Sequence, residues 1–412
     1  MKNFVILGAG TAGTMLVHEM LRKLNPNEWK ITMVDKDDDH FYQPGYLFLP
    51  FGLYQPKDVV KPKHKFIPGS VNFILSEVEL IEPDKNQIRL VKDNQVLPYD
   101  YLVIATGADI HPEETEGLKE DGWRQNIFDF YTADGAAALG KFLQKWEGGR
   151  LLVNVVENPI KCPVAPLEFL MLADWYFSKR GMRNKVELTY ATPLSGAFTK
   201  PTSSKALGGM LEKKNIKLET DFYAGSVDTS RNMLVSFDER ELPYDLLVSV
   251  PTNKGADVIK RSGMGDSLNF VPTKKDLLQS EKWENIWVMG DAANIPASKA
   301  GAVIHFQADI VVKNILQHMK GKEMTHKFDG HSLCYIESGY NKAVLIDFAY
   351  EQEPIFGSYP FPVVGPFSLL KETTINHWGK LAFRFMYYDL LLKGIPVPLP
   401  SRFSMAGKVV EK

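Results

Sequence analysis

The opening segment KNFVILGAGTAG leaves this chain few folds to adopt. Lys2–Leu7 is apolar apart from its start, the pattern of a short parallel strand buried on both faces. Gly8, Gly10 and Gly13 follow at GxGxxG spacing, with Thr11 and Ala12 between them, and Thr14–Leu24 reads as a helix. Trp29–Val34 is a second strand ending in Asp35, 22 residues after Gly13. A glycine triplet alone is a weak signal; a strand before it, a helix after it and an acidic strand end make it a strong one. Gly8 permits the tight turn, Gly10 lets backbone N–H groups approach a pyrophosphate, and Gly13 allows close helix packing. The helix N-terminus adds partial positive charge. Asp35, with Lys36 beside it, can accept hydrogen bonds from ribose hydroxyls, which argues against a 2′-phosphate at this site. A glycine-rich turn that holds nothing is the competing reading.

At 412 residues the chain is long enough for two or three packed domains. Hydrophobic content of 44% and charged content of 24% are globular values. A net charge of −2 provides no electrostatic footprint for nucleic acid. Two cysteines build no disulfide framework, and the absence of CxxC or HExxH spacing predicts no metal site. The N-terminus has neither a basic leader nor a small-residue cleavage pattern, so no signal peptide is expected. No run reaches the roughly 20 apolar residues that span a bilayer; a soluble or membrane-peripheral protein is expected.

An internal repeat divides the chain. LPYDYLVIATG (97–107) is echoed by LPYDLLVSVPT (242–252), each a turn feeding a buried strand. Counting back from the second copy by the distance that separates the first from its GAG loop lands on Leu151–Val156. Two related Rossmann-like halves are expected, one inserted in the other. The expected boundaries are 1–112 and 265–330 for the first, 113–264 for the second, and 331–412 for a C-terminal region. NIWVMGDAAN (285–294) is then the returning strand of the first half, ending in Gly290 and Asp291.

The corresponding loop of the second half reads VENPIKCPVAPLEF (156–169). Prolines fix φ and donate no N–H, so this loop cannot cradle a pyrophosphate as glycines do. The next strand, KVELTYATP, ends without an acidic residue. Nicotinamide binding is expected to be lost here, and the loop offers Cys162 instead. The other cysteine, Cys334, lies 172 residues further on. Two inert core thiols are the plain alternative.

The GAGTAG, VIATGAD and MGDAAN segments resemble the two-dinucleotide-binding flavoproteins. CPVAPLE around Cys162, CYIESGYNKAV around Cys334 and an aromatic C-terminal tail resemble the sulfide:quinone oxidoreductase family within them. The resemblance implies an α/β fold of two Rossmann-like domains with a C-terminal amphipathic, membrane-associated region. It implies FAD in the first half, held by Gly8, Gly10, Thr11, Ala12, Gly13, Asp35, Lys36 and Val78. Ala105, Thr106 and Gly107 would lie under its adenine and pyrophosphate, and Gly290 and Asp291 would meet the ribityl chain. Lys299, Ala300 and Gly301 would open a helix whose N-terminus points at the isoalloxazine; an exposed helix-start lysine fits Lys299 as well. Some members attach the flavin through a further cysteine near residues 108–130; none is present, so the FAD is expected to be noncovalent.

By the same resemblance Cys162 and Cys334 form a disulfide, directly or through extra sulfur atoms. Hydrosulfide attacks it, and the freed thiolate, assigned to Cys334, passes two electrons to the flavin. Glu168 is implied as the proton carrier, though a solvated glutamate in a first helical turn accounts for the same pattern. His305 reads as a satisfied helix histidine more readily than as a relay. A histidine that some members carry has no counterpart here, and Lys200 is the nearest cation. The segment 376–393 is helix-length and apolar nearly all round, relieved by Lys380 and Arg384, and reads as a helix in the membrane interface. Trp378, Tyr387 and Tyr388 are expected at headgroup level, and Pro396, Pro398 and Pro400 end the segment. A core helix is the alternative. Phe367 and Phe385 are candidates to stack on a quinone, and Lys371 and Lys380 to meet its oxygen. Expected partners are sulfide, a membrane quinone and the cell-membrane surface, in a homo-oligomer. A flavoprotein donating electrons to a cytochrome c, or an NADH:quinone dehydrogenase, are the rival readings.

Overall fold

The computed structural model describes residues 1–360, 365–395, 397 and 400–409; Pro396 and Pro398 lie outside them. Two parallel five-stranded sheets organise the chain, and all five strands of the second lie between the fourth and fifth strands of the first. The elements used below are β1 (Lys2–Leu7), β2 (Trp29–Asp35), β3 (Asn72–Leu75), β4 (Tyr101–Ile104) and β5 (Ile127–Phe128). Then come β6 (Gly149–Val155), β7 (Val186–Ala191), β8 (Ile216–Glu219), β9 (Leu246–Val250) and β10 (Ile286–Val288). The first sheet runs β10-β4-β1-β2-β3 and the second β5-β9-β6-β7-β8. The order is the same in both, so β6 stands where β1 stands and β9 where β4 stands. The echoed LPYD segments therefore feed equivalent central strands. The short edge strand β5 opens the second sheet, and β10, from beyond the insertion, returns the chain to the edge of the first. Crossing strands Ala108–His111 and Thr252–Gly255 pair antiparallel at the junction.

The central strands are apolar without alternation because both faces are covered: every residue of β9 is buried, as are Phe4–Leu7. Each half also carries a small antiparallel sheet of three strands, Val78–Pro98 in the first and Ala224–Pro243 in the second. Helix α1 (Thr11–Leu21) follows β1, α2 (Ala165–Lys179) follows β6, and α3 (Gly301–His318) follows β10.

A third sheet of four strands closes the molecule. Its strands β11 (Ser332–Gly339), β12 (Lys342–Phe348), β13 (Gly357–Tyr359) and β14 (Phe367–Leu369) lie in the order β11-β12-β14-β13. Helix α4 (Thr374–Asp389) packs on β12 and β11, starting with a Thr373 hydroxyl that accepts the Asn376 N–H. It begins two residues before the helix expected from sequence and stops at Asp389, followed by a 3₁₀ turn over Leu391–Lys393. No described helix is long and apolar enough to cross a membrane.

Candidate active site

The three glycines of the first loop are required for different physical reasons. Gly8 has φ +96°, and a Cβ there would stand 2.3 Å from the Ala105 carbonyl oxygen. A Cβ on Gly13 would stand 1.9 Å from the Gly8 carbonyl oxygen. Gly10 is different: its φ is −74°, and a Cβ would meet nothing within 4 Å. Its bareness serves no neighbour in the protein, which leaves a ligand as the reason for it. Asp35 accepts the Ala9 N–H at 2.6 Å through Oδ2 and pairs with Lys63 at 2.8 Å through Oδ1. Lys63, nearly buried, was not singled out from sequence.

Two further atoms point the same way. Thr106 Oγ1, beside the left-handed Gly107, and Asp291 Oδ1, in the turn after β10, are buried with no hydrogen-bond partner in the protein. Buried polar atoms without partners are rare, and both stand on the loops that face the glycine turn. Burial raises the Asp291 carboxyl. The residues present therefore fit a dinucleotide: an open glycine turn at a helix N-terminus, with unsatisfied polar atoms around it. Lys36 is exposed, and Val78 opens the small antiparallel sheet. Neither lines the cavity described next.

That cavity, about 390 Å³, opens between the two Rossmann-like halves and the third sheet. Thr11, Asp291, Lys299, Ala300 and Gly301 line it from the first half, Cys162 and Glu168 from the second, and Cys334 and Phe367 from the third sheet. Lys299 is no exposed helix-start lysine. It is buried, with its ammonium donating to the carbonyls of Asp291 at 2.8 Å and Ala293 at 2.9 Å. Burial pulls its pKa down to about 8. His305 also lines the cavity, and burial lowers its pKa.

Cys162 occupies the turn between β6 and α2 at φ +44°, a left-handed conformation that costs a non-glycine residue roughly 1 kcal/mol or more. The surrounding contacts hold it there. Its N–H donates to the Lys299 carbonyl at 2.7 Å, its carbonyl accepts from Ala165 N–H at 2.9 Å and from the Tyr131 hydroxyl at 3.2 Å. Lys161, one residue before, donates its N–H to Asn253 Oδ1 at 3.0 Å. The loop that carries glycines in a nucleotide site is thus stitched to the start of α3, at the mouth of the first half.

Cys334 comes from β11 and faces the same cavity. Both cysteines are free thiols here, not the direct disulfide expected. Burial pushes the Cys162 thiol up to about 12, with the Glu168 charge adding to it, and burial pushes Cys334 up as well. Thiols held that high are protonated at neutral pH, and a neutral thiol is a poor nucleophile. Glu168 is a titratable neighbour that both thiols share.

Glu168 is 1% exposed on the first turn of α2, so it is not the solvated glutamate that its position also allowed. Burial raises its carboxyl against the opposing charge of Lys380. Its Oε1 accepts from the Glu337 N–H at 2.5 Å and from the Lys380 ammonium in very close contact. Lys380 also donates to the Tyr335 carbonyl at 3.0 Å. Burial works against its charge, but the Glu168 carboxylate outweighs that and raises its pKa.

The tail departs from expectation because α4 turns its basic and tyrosine face inward. Lys380 points at Glu168, Arg384 pairs with Asp58 at 3.2 Å, and Tyr387 and Tyr388 are buried. The Tyr387 hydroxyl sits between Thr11 Oγ1 at 2.6 Å and His40 Nε2 at 2.8 Å, so none of these four is a headgroup anchor. Lys380 also lines the cavity, with its ammonium bonded to Glu168 and to the Tyr335 carbonyl. Trp378 and Phe385 remain outside, 64% and 62% exposed. Phe385 therefore does not line the cavity, nor does exposed Lys371; Phe383 and Met386, their neighbours on the inner face, do. Phe367 lines it, edge-on to Tyr335 at 5.6 Å. The aromatic run HFYQPGYLF (40–48) supplies Tyr42, Tyr46 and Phe48 to the wall, a signal present in the sequence and not used.

The architecture is that of paired Rossmann-like halves around one cavity, and residues 2–142 match the family model described as pyridine nucleotide-disulphide oxidoreductase. Along nearly its whole length the chain is similar to sulfide:quinone oxidoreductases. The mitochondrial enzyme of Dictyostelium discoideum is 29% identical over 398 residues, covering 95% of this chain and 86% of the relative. That of Mus musculus is 28% identical over 406 residues, with the same coverage of each chain. The X-ray structure of the sulfide:quinone oxidoreductase from the hyperthermophilic bacterium Aquifex aeolicus aligns with a TM-score of 0.80 at 21% identity, covering 96% of this chain and 92% of that one. The resemblance carried by CPVAPLE and CYIESGYNKAV thus extends to the whole chain and its fold.

Proposed function

We propose that this protein is an FAD-dependent sulfide:quinone oxidoreductase, in which Cys162 and Cys334 take sulfur and electrons from hydrosulfide and a quinone is the final acceptor. One observation carries the reading: two cysteines 172 residues apart, and the only two in the chain, line the cavity that the dinucleotide half opens into. Chance burial of two unrelated thiols does not supply a carboxylate and a lysine between them. The curated relatives named for this reaction support it. Against a nicotinamide substrate stand the prolines and the strained Cys162 in the loop where a second pyrophosphate would need open N–H groups.

FAD, when bound, supplies a two-electron acceptor between a sulfur donor and a quinone. The chain's own residues do the rest. The Gly8–Gly13 turn and the N-terminus of α1 bind the pyrophosphate noncovalently, and Asp35 is oriented toward the ribose by Lys63 and the Ala9 N–H. Asp291 and Thr106 offer their unpartnered oxygens to the same ligand. Lys299 and the N-terminus of α3 place positive charge where negative charge develops on reduction. At the oxidised cysteine pair, hydrosulfide attacks one sulfur, the S–S bond breaks, and the leaving thiolate carries the electron pair. Glu168 takes the proton that this sulfur chemistry releases.

The quinone enters along the apolar wall formed by Phe367, Phe383 and Met386. Ile375, Trp378 and Phe385 recur at helical spacing on the outer face of α4, and all three are exposed. This stripe rests on a membrane surface, with the inner face of the same helix leading into the cavity. Anaerobic sulfide should bleach the yellow protein, and a soluble quinone analogue should restore the colour. Protein loaded with FAD that sulfide leaves yellow would refute the assignment.

A further inference from the structure

Glu168 has 1% of its surface exposed, and so has Glu337, a second buried carboxylate that the reaction as described does not use. Glu337 links Glu168 to His377. Its N–H donates to Glu168 Oε1 at 2.5 Å, and its own carboxylate Oε2 lies 2.8 Å from His377 Nδ1. His377 is on the first turn of α4, one turn before Lys380, with 14% of its side chain exposed. Its neighbours Ile375 and Trp378 are exposed. The groups facing this turn are Glu337 and Tyr335 of β11, Glu168 of α2, and Lys380 of its own helix. Burying two carboxylates is costly, and Lys380 balances only one of them.

We propose that Glu337 and His377 continue from Glu168 as a proton exit, with His377 as its outer gate, a proposal that rests on the sulfide chemistry above. Hydrosulfide oxidised at the cysteine pair leaves zero-valent sulfur on the protein, two electrons in the cofactor and one proton. Quinone later takes up two protons with those electrons. The proton released at sulfur goes to Glu168, which is shut off from bulk water. From there it passes to the Glu337 carboxylate, whose own N–H holds Glu168, and then to the hydrogen-bonded His377 ring. His377, partly exposed, delivers it to solvent. His377 touches no reacting sulfur; it is a positioning and relay residue.

The test is stopped-flow bleaching of the FAD-loaded full-length protein by sulfide, for wild type, His377→Asn and Glu337→Gln. The relay predicts about tenfold slower bleaching or more in both variants, a changed pH profile and a larger solvent deuterium effect. Added imidazole should restore His377→Asn and leave Glu337→Gln slow. Wild-type rates in His377→Asn across the neutral range would overturn the relay. So would slowing that imidazole does not relieve and that leaves pH profile and isotope effect unchanged, because packing alone then explains the pair. Wild-type protein that sulfide fails to bleach refutes the sulfide reading itself, a different failure from the first two.

Discussion

The N–H of Cys162 donates to the carbonyl of Lys299 at 2.7 Å, tying the sulfur loop of one half to the helix start of the other. That bond places a thiol beside the cofactor half without any sequence contact between the two segments. Replacing either cysteine tests its consequence. Cys162→Ser and Cys334→Ser should each retain FAD and each lose sulfide-driven bleaching, read by anaerobic absorbance. A variant that bleaches at the wild-type rate would remove that cysteine from the chemistry.

Gly10 separates a folding role from a cofactor role. With φ −74° and open space around its Cβ position, Gly10→Ala should cost about 1 kcal/mol at most, the price of a poorer helix cap. It should nevertheless weaken FAD retention, measured by equilibrium dialysis. Gly8→Ala should instead lower the melting temperature of the cofactor-free protein, because its Cβ collides with a carbonyl and its φ is positive.

Lys380 offsets a buried carboxylate, so the two should be strongly coupled. Lys380→Met strands Glu168, and breaking such a pair costs about 3–5 kcal/mol. Adding Glu168→Gln removes the stranded charge while keeping an acceptor for the Glu337 N–H. Denaturant unfolding should show the double variant more stable than Lys380→Met alone. Its sulfide reaction should stay slow, since no carboxylate is left.

Stability should fall at high pH. The Cys162 thiol is raised from 9.0 to about 12, so between those values the unfolded chain ionises while the folded one keeps its proton. The folded state then binds more protons, and stability decreases as pH rises. The contribution is fully present below pH 9.0 and gone above about 12. Chemical unfolding at several pH values should show this decline, and it should be shallower in Cys162→Ser.

The outer stripe of α4 can be cut away from the chemistry. Trp378→Ser combined with Phe385→Ser should reduce sedimentation with lipid vesicles and leave bleaching by sulfide intact. Both side chains point away from the cavity, so a loss of bleaching would mean that the helix itself had shifted.

Much of this was readable from local pattern. The glycine turn, the acidic end of β2 and the LPYD repeat each record a backbone requirement within a short segment, and such requirements survive in the order of residues. The substitution of Cys162 for glycine was visible for the same reason. Other features have no local trace. That Glu168 is buried rather than solvated depends on Lys380, which arrives 212 residues later. The inward turn of Lys380, Arg384, Tyr387 and Tyr388 follows from α4 packing against β11, β12 and the glycine turn. Helical periodicity marks two faces on such a segment but cannot say which one meets protein. Residue order alone thus determined two nucleotide-type halves and a sulfur-bearing loop, because bond geometry and hydrogen-bond supply are local. Which charges meet in the low-dielectric interior, and which thiols share a cavity, was decided only when the third sheet closed over both halves, because Coulomb energy and desolvation depend on distance in space.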